Sequence, residues 1–324
     1  MKRRTASYLI LLTVLLTCSG ASCPRTRNQL TQSAPTVFGG TPTIQEAIDA
    51  VNANSAPIRQ LQTDTATLSG QGMPSLRASI AMQRPRDFRL RAHVMGLGQV
   101  LDFGSNDQVF WALIDAPEFA TNMPRAVYYA RHDEFRQSAS RHVLPIQPHW
   151  LIEAFGVVRL DPASATYEGP YVRGPGKLEI RERTFTADGD ITKIMILDDQ
   201  FAWILEQHWY DSRGKLIASV FSGNHRYDTN ASVSLPHRID VRLSPPQNSF
   251  QIDVERYSIN QMYSDPAQLW SMPAFEGFAH INLAAPPNPS PQYGQPVGLP
   301  PTSLPPTNFP HTGYRPQYRG YTDR

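Results

Sequence analysis

Two periodicities divide the chain. From position 44 apolar residues recur at Ile44, Ala47, Ile48 and Val51, the i, i+3, i+4, i+7 spacing that predicts one buried helix face. Either Thr41-Pro42 or the capping box Thr43-Ile-Gln-Glu46 starts this helix, and the run from Asn52 to Pro57 stops it. Beyond it the period falls to two. In Phe88-Arg-Leu-Arg-Ala92, Ile239-Asp-Val-Arg-Leu243 and Phe250-Gln-Ile-Asp-Val-Glu255 apolar residues alternate with mainly charged ones. That pattern predicts strands with one buried and one solvated face. Turn signals separate the strands: Gly104 to Asp107 before Val109 to Ile114, Asp188-Gly-Asp190 before Ile191 to Leu197, Asp198-Asp199 before Phe201 to Leu205, and Asp211 to Gly214 before Lys215 to Phe221. Links so short join antiparallel neighbours, because a parallel pair needs a long crossover. Pro148 to Phe155, with Gly156 behind it, predicts a second short helix, and Asp265-Pro266 a further helical turn. The expected class is α+β, an antiparallel sheet of roughly ten strands with a few helices. A sheet that large must close or be covered, and the helix at 41–54 is the natural plug or lid.

Neither end carries such a pattern. Residues 1–23 place Lys2-Arg3-Arg4 before an apolar run from Tyr8 to Leu16 that is too short to span a bilayer, the layout of a secretory signal peptide. The small residues that follow end in Cys23, and this resembles a bacterial lipobox, with Cys23 the expected lipidation site and Cys18 the alternative. Ordinary cleavage after Ala21 or Ser22 would instead release a secreted protein. Residues 24–40 read as a flexible tether. Residues 285–324 hold eleven of the 29 prolines, with Tyr293, Tyr314, Tyr318 and Tyr321 among them, and read as an extended, disordered tail. The domain expected to fold is 41–284.

Composition sharpens this division. The formal charge of the whole chain is +2, but eight of its 30 basic residues and only one of its 28 acidic residues lie outside 41–284, so the folding segment is acidic. A basic nucleic-acid-binding core is thereby disfavoured. With two cysteines, both in the export region, no disulfide framework is available to the mature chain.

Patterns that carry chemistry are missing. The chain has no Gly-x-Ser-x-Gly elbow, Walker A loop or dinucleotide-binding glycine run. Its histidines never fall at metal-ligand spacing, and Asp188, Asp190, Asp198 and Asp199 are accounted for by turn chemistry. Carboxylate pairs such as Glu179 and Glu182 have the residue types that glycoside hydrolysis uses, and their place in an alternating strand makes a solvated face the default expectation. Arg84, Arg86, Arg89 and Arg91 cluster about one strand; a phosphate or lipid-headgroup site stands against a plain charged outer face. No catalytic residue, metal or cofactor is expected.

The order of parts resembles a known family. An export signal leads into Thr-Ile-Gln-Glu-Ala-Ile, then Arg84-Pro-Arg-Asp-Phe-Arg-Leu-Arg91, Leu101-Asp-Phe-Gly-Ser-Asn-Asp-Gln-Val-Phe-Trp111, Trp209-Tyr-Asp-Ser-Arg-Gly-Lys215 and Leu235-Pro-His-Arg-Ile-Asp-Val-Arg242. This succession is similar to the LolA/LolB-like lipoprotein-localisation superfamily over most of 41–284. The resemblance implies an antiparallel half-open β-barrel enclosing or capped by helices, with an apolar cavity for acyl chains. Phe88, Leu90, Phe110, Leu113, Phe201, Trp203, Leu205, Ile239 and Val241 are the cavity candidates. It also implies a non-catalytic envelope lipoprotein that binds lipid, acyl chains or a lipidated protein. Such a protein would be anchored to the outer membrane by its N-terminal lipid, with the domain in the periplasm. The alternative is a scaffold lipoprotein with an internally packed barrel, whose tail recruits an envelope protein partner.

Overall fold

The computed structural model describes residues 33–285 except 71, 95, 97, 116–124, 139–147, 186–188 and 245–248. Cys18, Cys23 and the Pro-rich tail lie outside the described residues. Helix α1 (Ile44–Ser55) opens on the capping box: the Glu46 N–H donates to Thr43 Oγ1 at 3.3 Å, and the Thr43 N–H to Glu46 Oε2 at 2.7 Å. Ala47, Ile48 and Val51 are buried on its packed face. Just before it, in the stretch read as tether, the N–H groups of Val37 and Phe38 donate to Gln200 O, and Phe38 is buried.

The chain then lays down β1 (Gln60–Gly70), β2 (Met73–Gln83), β3 (Asp87–Val94), β4 (Gly98–Ser105), β5 (Val109–Ile114) and β6 (Ala126–Arg131) as a meander. Two short helices follow, α2 (His132–Gln137) and α3 (Pro148–Ala154). Next come β7 (Thr166–Val172), β8 (Lys177–Thr184), β9 (Ile191–Asp198), β10 (Ile204–Tyr210) and β11 (Leu216–Gly223), then the hairpin β12 (Arg226–Asp228) and β13 (Val233–Leu235). The last elements are β14 (Arg238–Leu243), β15 (Phe250–Val254), β16 (Ser258–Ile259), α4 (Pro266–Leu269) and β17 (Ala279–Asn282).

Fifteen of these strands form one sheet in the order β17-β6-β5-β4-β3-β2-β1-β15-β14-β11-β10-β9-β8-β7, with β16 also on β1. Every pair is antiparallel except β17 on β6. The class is α+β, and the sheet is open, with β7 and β17 at its edges. Its strand number exceeds the expected ten because polar or short strands escaped the alternation: β1 carries Thr63, Asp64, Thr65 and Thr67, while β16 and β17 have two and four residues. The strand expected at Phe201–Leu205 also moves. Asp198 Oδ1 accepts from the N–H groups of Gln200 and Phe201, so the turn extends to there and β10 starts at Ile204.

Helices cover one face of the sheet, and a later segment covers part of the other, where Arg238 and Arg242 on β14 stay exposed. On the first face, α1 packs on Leu178, Ile180, Met195 and Leu197, while α3 packs on the central strands. The helix expected as plug or lid thus covers one flank of the sheet, while α3 fills the place over the central strands. On the other face, the segment 260–278 runs as a strap before β17 rejoins the sheet, putting Leu269 and Trp270 on Ala81 and setting Phe275 and Phe278 against Trp111, Leu113 and Val127. Arg89, read as belonging to a charged outer face or a phosphate site, is buried under this strap and bonded to Asp102. Among the described residues no helix is long and apolar enough to cross a membrane.

Candidate functional site

Alternation in the central strands sends Ile80, Met82, Phe88, Leu90, Ile239, Val241 and Ile252 to the helix-bearing face. There α3 supplies Trp150, Leu151 and Ile152, and Phe155 follows at its end. The Phe155 ring lies 6.4 Å from that of Phe88, and Trp150 stacks on Trp209 at 5.1 Å with 19° between planes. The apolar face is thus filled by side chains of a seven-residue helix. A helix that short has little stability of its own and depends on what it touches.

Polar groups fasten it. Glu182 on β8 and Trp209 on β10 stand on either side of Lys193 on β9, in one cross-strand row. Lys193 Nζ reaches Glu153 Oε2 on α3 at 2.7 Å and Glu182 Oε2 at 3.7 Å, and sits 5.6 Å from the centre of the Trp209 ring. Gln207 Nε2 donates to the Glu153 carbonyl at 3.1 Å, while Gln207 Oε1 is buried with no donor among the described residues. Burial disfavours the Lys193 ammonium, but Glu153 and Glu182 outweigh it and hold its pKa above the ordinary value. Burial raises the Glu182 pKa, and Lys193 opposes that rise. A lysine held charged between two carboxylates is a poor nucleophile or base. Its chemistry here is that of a latch between α3 and the sheet.

The candidate cavity residues separate into groups. Phe88, Leu90, Ile239 and Val241 meet α3 in the central cluster. Phe110 lies in a neighbouring cluster with Ala112, Tyr128 and Phe135, whereas Leu113 lies with Trp111 under the strap. Phe201 stacks on Trp203, and Trp203 on His225, at 4.6 and 4.9 Å, beside the turn that precedes β10. Burial depresses the pKa of His225 to about 4. Leu205 is half-buried outside these clusters. Near the stack, Val51, Asn54, Trp203, His225 and Pro236 line a slit of about 10 Å³, room for about one water.

Glu179 is not on a solvated face. Its side chain is 1% exposed and held by Arg173 and Arg181. Glu182, four-fifths buried, belongs to the latch. Trp150, Phe155, Lys193, Glu153 and Gln207 were not singled out in the sequence, and the signal for Lys193 was a charge in a phase shared with Met195 and Leu197. Among the described residues no group of three His, Cys, Asp or Glu side chains is placed to hold a metal.

No protein-family model matches the sequence, and no curated protein does. Solved structures similar to the chain include the following three, all at low identity. One is a domain described as an outer membrane lipoprotein-sorting protein from Vibrio parahaemolyticus, 9% identical, covering 69% of this chain and 96% of that one, with a TM-score of 0.46. Another is a DUF1329 family protein from Desulfovibrio piger, 10% identical over 71% of this chain and all of its own, with a TM-score of 0.45. The third, a LolA superfamily protein from Nitrosomonas europaea, is 8% identical over 71% of this chain and 98% of that one, also at 0.45.

Proposed function

We propose that this chain is a non-catalytic binding protein of the bacterial envelope, a LolA/LolB-like half-barrel that takes lipid, an acyl chain or a lipidated protein on the face occupied by α3. The observation that carries this reading is the closure of a broad apolar face by a two-turn helix on a polar latch. A side chain layer that can leave as a unit is a gate for a long apolar ligand. Lipidation at Cys23, or at Cys18, would tether the domain to the outer membrane with its sheet in the periplasm.

The filled face favours a second reading, a scaffold with a permanent core and a partner-binding tail. The two differ in whether α3 ever leaves. A fluorescent fatty acid is titrated into the purified protein while amide exchange is followed over Pro148–Ala154. Saturable binding with faster exchange in α3 supports the gate. No binding, or binding with α3 exchange unchanged, supports the scaffold. Ile152→Val sharpens the test, because it loosens the packed state by about 1 kcal/mol. If the ligand must displace α3, the same energy appears as roughly fivefold tighter probe binding. A permanent core gives the stability loss with no gain in affinity.

A further inference from the structure

Three segments meet at the end of α1 and each brings arginine. Leaving the helix, the Ile58 N–H donates to Ser55 O at 3.1 Å, which leads the chain straight into Arg59. The Arg59 carbonyl accepts from the Arg84 N–H at 3.0 Å, so the β2–β3 turn, with Arg84 and Arg86, lies alongside. From the same last turn of α1, Ser55 Oγ donates to Val158 O, and the Asn52 side chain bonds both the N–H and the carbonyl of Leu160 at 2.8 Å. Arg159 is fixed between those two anchors.

None of these four arginines is in an ion pair among the described residues, in contrast to Arg89, Arg173, Arg181 and Arg238. Arg84 Nη2 is buried and finds no acceptor among those residues. The nearest acid in the turn, Asp87, accepts from Gln83 instead. Burial first, and then the charge of Arg159, push the Arg84 pKa below its ordinary value. Two guanidinium groups in mutual repulsion, one with a dry and unpaired N–H edge, gain from an oxyanion that bridges them.

We infer that Arg84 and Arg159 form an oxyanion site for a phosphate group, with Arg59 and Arg86 at its margin. The phosphate has two sources, free anion or the headgroup of a lipid, and only the second rests on the acyl-binding reading above.

Binding of inorganic phosphate, and of phosphatidylcholine vesicles with and without phosphatidylglycerol, is measured on the full chain. The variants are Arg84→Gln, Arg84→Lys, Arg159→Gln and, as a surface control, Arg213→Gln. Arg159 is exposed, so its replacement leaves folding intact. Phosphate affinity is expected to fall about tenfold or more in Arg159→Gln and Arg84→Gln, less in Arg84→Lys, and not in Arg213→Gln. Vesicle binding that requires phosphatidylglycerol and is competed by phosphate assigns the headgroup; phosphate binding without vesicle binding assigns the free anion. Absence of both, or equal losses in Arg213→Gln and Arg159→Gln, overturns the site. A protein that takes the fatty-acid probe but neither phosphate source loses this site and keeps the gate. Phosphate binding through Arg84 and Arg159 without probe binding does the reverse.

Discussion

Asp102→Ala is expected to lower stability by about 3–5 kcal/mol and to release the strap from the sheet. Asp102 is fully buried and accepts from Arg89 Nε and Nη2 at 3.1 and 2.7 Å, from Trp111 Nε1 at 3.1 Å and from Gln99 Nε2 at 3.1 Å. Trp111 reaches it by lying over Gly104, where an added Cβ would sit 2.1 Å from the indole. Arg89 turns its remaining nitrogen outward, donating through Nη1 to the carbonyls of Gln268 and Leu269 at 3.2 and 3.0 Å. The guanidinium therefore joins a carboxylate in the sheet to the end of α4 in the strap. Without Asp102 a buried cation keeps only two neutral acceptors, and Trp111 and Gln99 lose theirs. Urea unfolding reads the first effect, and the rate of protease cleavage within 260–278 reads the second. Arg89→Met with Asp102→Leu should recover most of the loss, because apolar pairs replace buried ion pairs well while half-pairs do not. A single variant that costs under about 1 kcal/mol, or that leaves cleavage unchanged, would mean that apolar packing alone holds the strap.

The same pair shows where a sequence stops being readable. Phe88-Arg-Leu-Arg-Ala92 alternates as an amphipathic strand does, and Phe88, Leu90 and Ala92 are buried on the helix face as the pattern requires. Its other face was read as wet. It is dry at Arg89 because Leu269, 180 positions later, comes back to cover it, and no local period announces that cover. The strap's own Met262, Leu269, Trp270, Phe275 and Phe278 have neither helical nor strand spacing, since they are placed by the surface they meet. Strands covered on both faces lose their phase in the sequence. In Val109-Phe-Trp-Ala-Leu-Ile114 every position is apolar, so Phe110 and Leu113 were grouped together although they lie on opposite faces. Local chemistry was legible where it is self-contained. The capping box of α1, Pro148 at the start of α3, and the Asp265 cap of α4, which accepts from Ala267 N–H at 3.0 Å, are each written within four residues.

Lys193→Met is expected to cost as much, about 3–5 kcal/mol at neutral pH, but with a different signature. Lys193 is 6% exposed and is the cation between Glu153 and Glu182. Removing it leaves Glu182 with burial raising its pKa and no Lys193 to oppose the rise. A carboxyl whose pKa is raised on folding stabilises the folded state below its unfolded value and loses that contribution as pH rises through the folded value. In the variant the folded value lies higher still, so the deficit against wild type is largest at neutral pH. It shrinks as pH falls to and below the ordinary carboxylate value of 4.5, under which Glu182 is neutral in both states. Urea midpoints of the two proteins across that range measure this, and Lys193→Met with Glu182→Gln should flatten the difference. A deficit independent of pH would place the cost in lost packing against Trp209 and not in the charges. The gate adds a second consequence. Lys193 fastens α3 through Glu153, whereas Asp102 fastens the strap on the opposite face. Of two variants with similar cost, only Lys193→Met should then tighten binding of the fatty-acid probe, because only it weakens the state that the ligand must displace. Equal probe affinities in the two variants would detach the latch from ligand entry and leave it as part of a permanent core.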